Sequence, residues 1–155
     1  MAKRDFEKFK VSLEGKEFEC DPENELLSSE ENINDDLKNQ PGWYAWYAVL
    51  QEKADHELQE SKLMLEIFGA ELDAKIRSTH ESLTEKKITA MILMDEDYHM
   101  ARRMVNDSKH KVGVLKAVKE SFDHRKDMLI TLASNMRKQM DPDIYIKKEE
   151  FKQED

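Results

Sequence analysis

WYAWYAVLQEKADHELQESKLMLEIFGAELDAKI, running from Trp43 to Ile76, decides the fold class. Within it Trp46, Leu50, Ala54, Leu58, Leu65, Phe68, Leu72 and Ile76 follow one another at intervals of three, four or seven, with Tyr47 beside them. That spacing is one face of an α-helix. With its flanks it predicts a helix of about 37 residues, roughly 55 Å long at the standard rise. Pro41 suits the first turn, where its missing N–H would have no partner in any case. Gly69 lies inside the helix at a cost of about 1 kcal/mol relative to alanine, which a close helix contact would explain.

Towards the N-terminus, Asn39-Gln40-Pro41-Gly42 breaks the chain ahead of this helix. A short helix from about Glu25 to Leu37 precedes the break, with Leu26, Leu27, Ile33 and Leu37 on one side. In residues 1–24, Phe9, Val11 and Leu13 alternate before Glu14-Gly15, and Phe18 and Cys20 follow. A short hairpin or a disordered acidic arm satisfies that pattern equally.

Towards the C-terminus, Ser82-Leu83-Thr84-Glu85 has the form of a capping box and opens a short helix over about Leu83 to Leu93. Asp95-Glu96-Asp97 then places three carboxylates where a second long helix begins, favourable for the positive end of its dipole. Tyr98, Ala101, Val105, Val112, Leu115, Val118, Phe122, Leu129, Leu132 and Met136 line its apolar face. Its end is expected near Met140, before Asp141-Pro142, with an extended or loose tail beyond. The expected fold is all-α, with two long amphipathic helices in an antiparallel arrangement and short helices before and between them. The chain divides into an acidic N-terminal arm (1–24), a helical domain (25–140) and a C-terminal tail (141–155).

Composition agrees with long helices. Charged residues make up 38% of the 155 residues, and only three prolines and four glycines interrupt them. Helical proteins this thin bury little apolar surface per chain, so a homo-oligomer is expected. The longest apolar run, Ile88 to Met94, falls far short of the roughly 20 residues that span a bilayer. MAKRDFEKFK carries charge with no apolar stretch behind it, so no membrane partner and a cytoplasmic location, host cytoplasm if phage-encoded, are expected. Cys20, alone in an acidic context, offers no disulfide framework.

The net charge of −9 hides an asymmetry. Residues 1–40 hold twelve Asp or Glu against six Lys or Arg. From Arg102 to Lys138 ten basic residues face four acidic ones, enough to attract a polyanion. Arg102, Lys109 and Lys116 recur every seven residues, as do Lys119 and Lys126. Such stripes can track a phosphate backbone or form the solvated flanks of a coiled coil.

No constellation reads as an active site, and no cofactor is expected. Glu96-x-x-His99 and Asp107-x-x-His110 imitate the spacing of di-iron bundles, but both lie on one helix. Glu52, His56 and Glu60 describe a polar helix face as well as a weak metal site. No glycine-rich loop or elbow frames a nucleophile or a phosphate. Trp43, Tyr44, Trp46 and Tyr47 could stack on bases or close a bundle end or subunit interface, with Tyr44 the most accessible.

The order of elements resembles the UvsY-type recombination mediators of tailed phages over about residues 35–140. The residues that carry the resemblance are Trp43 and Trp46, Lys75-Ile76-Arg77, Lys86-Lys87-Ile88-Thr89 with Asp95 and Asp97, and Leu115 through Leu129. The resemblance implies ring-shaped oligomers that bind single-stranded DNA, help displace the single-strand binding protein and load a RecA-like recombinase. It implicates Lys75 and Arg77 in DNA contact. Lys75, Arg77, Lys86, Lys87, Arg102, Arg103 and Lys109 are therefore the expected phosphate-binding residues of a non-enzymatic accessory protein. The alternative is a structural or adaptor coiled coil whose partner is another protein, and a third reading is a di-metal bundle.

Overall fold

A computed structural model describes residues 8–80 and 82–150, with backbone alone for residues 140–150. The fold is all-α in its main mass, with two long helices that pack antiparallel and shorter elements before and between them. Strands β1 (Phe9–Leu13) and β2 (Lys16–Cys20) come first, followed by α1 (Pro22–Leu26) and a short 3-10 turn (Glu30–Asn32). Helices α2 (Ile33–Thr79), α3 (Glu85–Met94) and α4 (Glu96–Glu150) complete the order. Among the described residues no helix is long and apolar enough to cross a membrane.

The chain forms two compact units, and α2 and α4 each contribute to both. One, called here the aromatic unit, includes residues 21–47 and 118–150. The other, the hairpin unit, comprises residues 9–20 and 48–117.

In the aromatic unit Tyr47, Phe122 and Leu129 are fully buried and Ile33 nearly so. Phe122 stacks on Trp43 at 6.2 Å and on Tyr47 at 5.2 Å between ring centres, and Trp46 meets Tyr47 edge-on at 4.7 Å. Such ring pairs stabilise by about 0.5–1.5 kcal/mol beyond the area they bury. The Tyr47 hydroxyl donates to Glu25, which ties α1 to α2. Asp21 starts α1 by accepting from the Asn24 amide nitrogen and side chain, and Asn24 and Lys8 hold its carboxyl below the usual carboxylate range.

Among the described residues Arg125 is the one charged side chain in this unit's core, only 5% exposed. Its Nε donates to the Leu26 carbonyl, Nη1 to Gln40 at 2.7 Å, and Nη2 to the Leu27 carbonyl and to Asp36 at 2.9 Å. Gln40, itself buried, also donates to the Phe122 carbonyl. The expected break at residues 39–42 is therefore absent, and Pro41 lies two turns inside α2. A proline there removes a helix bond and strains the turn by about 3 kcal/mol. Gln40, bonded to α4 on the residue before it, holds the helix through that defect. The short helix expected over 25–37 splits accordingly, with α1 ending at Leu26 and Ile33 already opening α2.

In the hairpin unit Leu50, Ala54 and Leu58 of α2 are buried, as are Leu115 of α4 and Ile88 of α3. Each fully buried leucine contributes about 1.5–3 kcal/mol. Contacts pair Glu57 with Lys111, Ser61 with Ser108 and Gly69 with Tyr98, so the partner number falls as α2 ascends. A Cβ on Gly69 would sit 3.4 Å from the Tyr98 ring, the close contact expected of that glycine. Of the two readings open for residues 9–20, the structure has the hairpin. Val11 pairs with Phe18 and Phe9 with Cys20, and Val11, Leu13 and Cys20 are buried. Cys20 is therefore a core residue and not part of a flexible arm. Glu14 and Gly15 both have positive φ, 50° and 73°, the two-residue turn whose twist matches paired strands.

Two further expectations are corrected. The capping box at Ser82 does not form, because α3 starts at Glu85 behind Thr84, whose side chain makes no capping bond. Asp95 does cap α4, accepting from the Tyr98 N–H at 2.9 Å. The chain beyond Met140 is helical to Glu150, so Asp141-Pro142 does not stop α4 and no loose tail starts there.

Candidate nucleic-acid interface

All seven expected phosphate-binding residues fall in the hairpin unit, and all are exposed. They are not equivalent. Arg77 is engaged through each of its three nitrogens: Nε donates to Asp73 at 2.7 Å, and Nη1 and Nη2 donate to Glu85 at 2.9 and 2.7 Å. Those bonds raise the guanidinium pKa and hold the Glu85 carboxyl below its ordinary value. Arg77 thus works as a clamp between the last turns of α2 and the first turn of α3. Lys75, two residues earlier, projects from the opposite side of α2, since positions i and i+2 of a helix do not face each other. One phosphate cannot meet both residues of the Lys-Ile-Arg triplet.

Lys86 and Lys87 stand in the first turn of α3. Lysines there oppose the positive end of the helix dipole, so they are not placed for helix stability. The amide nitrogens of Lys87 and Ile88 both reach the Thr84 carbonyl. No side chain caps the turn, and its remaining N–H groups point outward as helix starts do when they hold anions. Arg102 and Lys109, seven residues apart on α4, share one face, while Arg103 lies on another beside Glu96, His99 and Met100. Lys75, Lys86, Lys87, Arg102, Arg103 and Lys109 form no ion pair among the described residues.

Several other basic residues are committed. Lys53 pairs with Glu14, and Lys111 with Glu57 and the Ser12 carbonyl, fastening the hairpin to the helices, while Lys10 pairs with Glu17 across the hairpin itself. In the aromatic unit Arg125 is buried, and Lys126 pairs with Asp123 at 2.8 Å. Part of the positive excess between residues 102 and 138 is therefore spent inside the protein. Tyr47, with no exposed surface, cannot stack on a base, and Trp43 and Trp46 are half-buried in the ring cluster. Tyr44 is the exposed member, at 39%.

The sequence reading missed an open groove in the hairpin unit, lined by Met64 and Phe68 of α2 and Met100, Ala101 and Met104 of α4, with Glu60, Ser61 and Asp97 at its edges. The signal was available. Met64 and Phe68 are spaced four apart, as are Met100 and Met104; Phe68 belongs to the main apolar series, and the three methionines each stand one residue before a member of it, Leu65, Ala101 and Val105. Among the described residues no three His, Cys, Asp or Glu side chains are grouped to hold a metal ion. No protein-family model, curated protein or solved structure matches this chain.

Proposed function

We propose that this chain is a non-enzymatic, oligomeric accessory protein of DNA recombination that binds single-stranded DNA through the hairpin unit and assists loading of a RecA-like recombinase. The observation that supports it most is the uncapped first turn of α3 with Lys86 and Lys87 exposed and unpaired among the described residues. Lys75, Arg102, Arg103 and Lys109, in the same unit, extend the supply of uncommitted positive charge. Arg77 serves in this reading as the brace that positions α3 and not as a phosphate ligand. The recombinase, the displaced single-strand binding protein and the cytoplasmic setting rest on the resemblance to the UvsY-type mediators.

The test is a titration of a labelled oligonucleotide with the wild-type protein and with Lys86→Gln/Lys87→Gln. The double variant is expected to bind all sequences more weakly and to lower the salt slope by about 0.7 for each lost phosphate contact. Unchanged affinity would remove α3 from the interface. A second reading, an adaptor whose partner is another protein, is favoured by the open methionine groove.

A further inference from the structure

The hairpin unit contains its own example of how the furrow between α2 and α4 is closed. Around Glu57 and Lys111 the β-hairpin lies across both helices: the Glu14 amide donates to Glu57, Lys53 pairs with Glu14, and Lys111 donates to the Ser12 carbonyl. Phe9 and Val11 line a cavity there together with His110, Lys111, Val114 and Leu115. One to two turns further along, the cover ends and the furrow stays open. Met64 is 64% exposed, Met100 62% and Met104 64%, and the groove holds about 490 Å³. Unbranched methionines on both walls can re-pack around a guest side chain.

We infer that this groove is a docking site for a helical segment of a partner protein that carries apolar anchors flanked by lysine or arginine. Its shape favours a helix. Two antiparallel helices leave a furrow that a third helix fills, and Met64–Phe68 and Met100–Met104 each present an i, i+4 pair matching anchors one turn apart. Its charge selects the flanks. The lining contains two carboxylates, Glu60 and Asp97, and no cation. A second copy is disfavoured on the same ground, since face-to-face pairing of identical grooves would set Glu60 and Asp97 of one copy against those of the other in a chain of net charge −9.

The probe is a labelled synthetic helix of about four turns, with leucines at i, i+4 and i+7 and lysines around them, compared with a twin whose lysines are glutamates. The lysine peptide is expected to bind the full-length protein at least about tenfold more tightly than its twin at low salt. Met64→Gln and Met104→Gln, both at largely exposed positions, should each weaken it by about tenfold. Glu60→Gln/Asp97→Asn should narrow the gap between the two peptides. Equal binding of both peptides, or no loss in the methionine variants, overturns the inference. So does sedimentation showing an oligomer that dissociates in Met64→Gln/Met104→Gln, which would assign the groove to a second copy. Oligonucleotide affinity measured on the same methionine variants should not change, so this site and the DNA reading stand or fall separately.

Discussion

Arg125 gathers four acceptors from two segments: the Leu26 and Leu27 carbonyls at the end of α1, and Asp36 and Gln40 of α2. A guanidinium can satisfy such a set because its donors are fixed in a planar fork. Removing it would leave Asp36 and Gln40 with unmet bonds in a half-dry setting, where one oxygen of Asp36 already lacks a partner among the described residues. Arg125→Ala is therefore expected to lower unfolding stability by about 3–5 kcal/mol, measured by urea denaturation. Arg125→Lys should recover only part of the loss, since an ammonium cannot reproduce the fork. A loss under 1 kcal/mol would mean the cluster is not a stabilising anchor. None of this was legible in the sequence. A charged residue in a basic stretch reads as surface, and its partners lie 85 to 99 residues away.

At the scale of elements, the helical period was the readable part. Every apolar position in the two series from Trp46 to Ile76 and from Tyr98 to Met136 is buried or half-buried. That follows from burial itself, which imposes its spacing on any helix packed along one side. Ends were less readable because they depend on partners. Pro41 was expected to begin a helix, yet tertiary bonds to Gln40 carry α2 through it. The Ser82 box gave way to a start at Glu85, where Arg77 grips the carboxylate. That grip makes a pH prediction. Because Arg77 depresses the Glu85 pKa below the ordinary 4.5, the stabilisation is complete above that value and is lost as pH falls through the lower, folded-state pKa. Amide exchange in α3 should show protection decreasing on acidification below about pH 4.5, and Glu85→Gln should remove that part of the dependence. Identical profiles for the two proteins would show that the clamp does not hold α3.

Across the whole molecule, positive charge is divided between residues that hold the fold and residues that do not. Lys10, Lys53, Lys111, Arg77, Arg125 and Lys126 are bound to acidic partners. Lys75, Lys86, Lys87, Arg102, Arg103 and Lys109 stand exposed without an ion pair among the described residues. The sequence could name both groups as basic but could not separate them, since pairing depends on which carboxylates the fold brings near. It also could not display the methionine groove, because methionines beside a helix stripe read as part of the core until the depth of that core is known. The proposed role in handling single-stranded DNA rests on the second group, and its electrostatic origin makes it measurable without knowing the biological sequence or partner.

The most direct measurement is the affinity of the wild-type protein for a single-stranded oligonucleotide across a series of salt concentrations. Six phosphate contacts predict that the logarithm of the binding constant falls with the logarithm of salt at a slope of about −4. No binding at the lowest salt, or a slope near zero, would contradict the account.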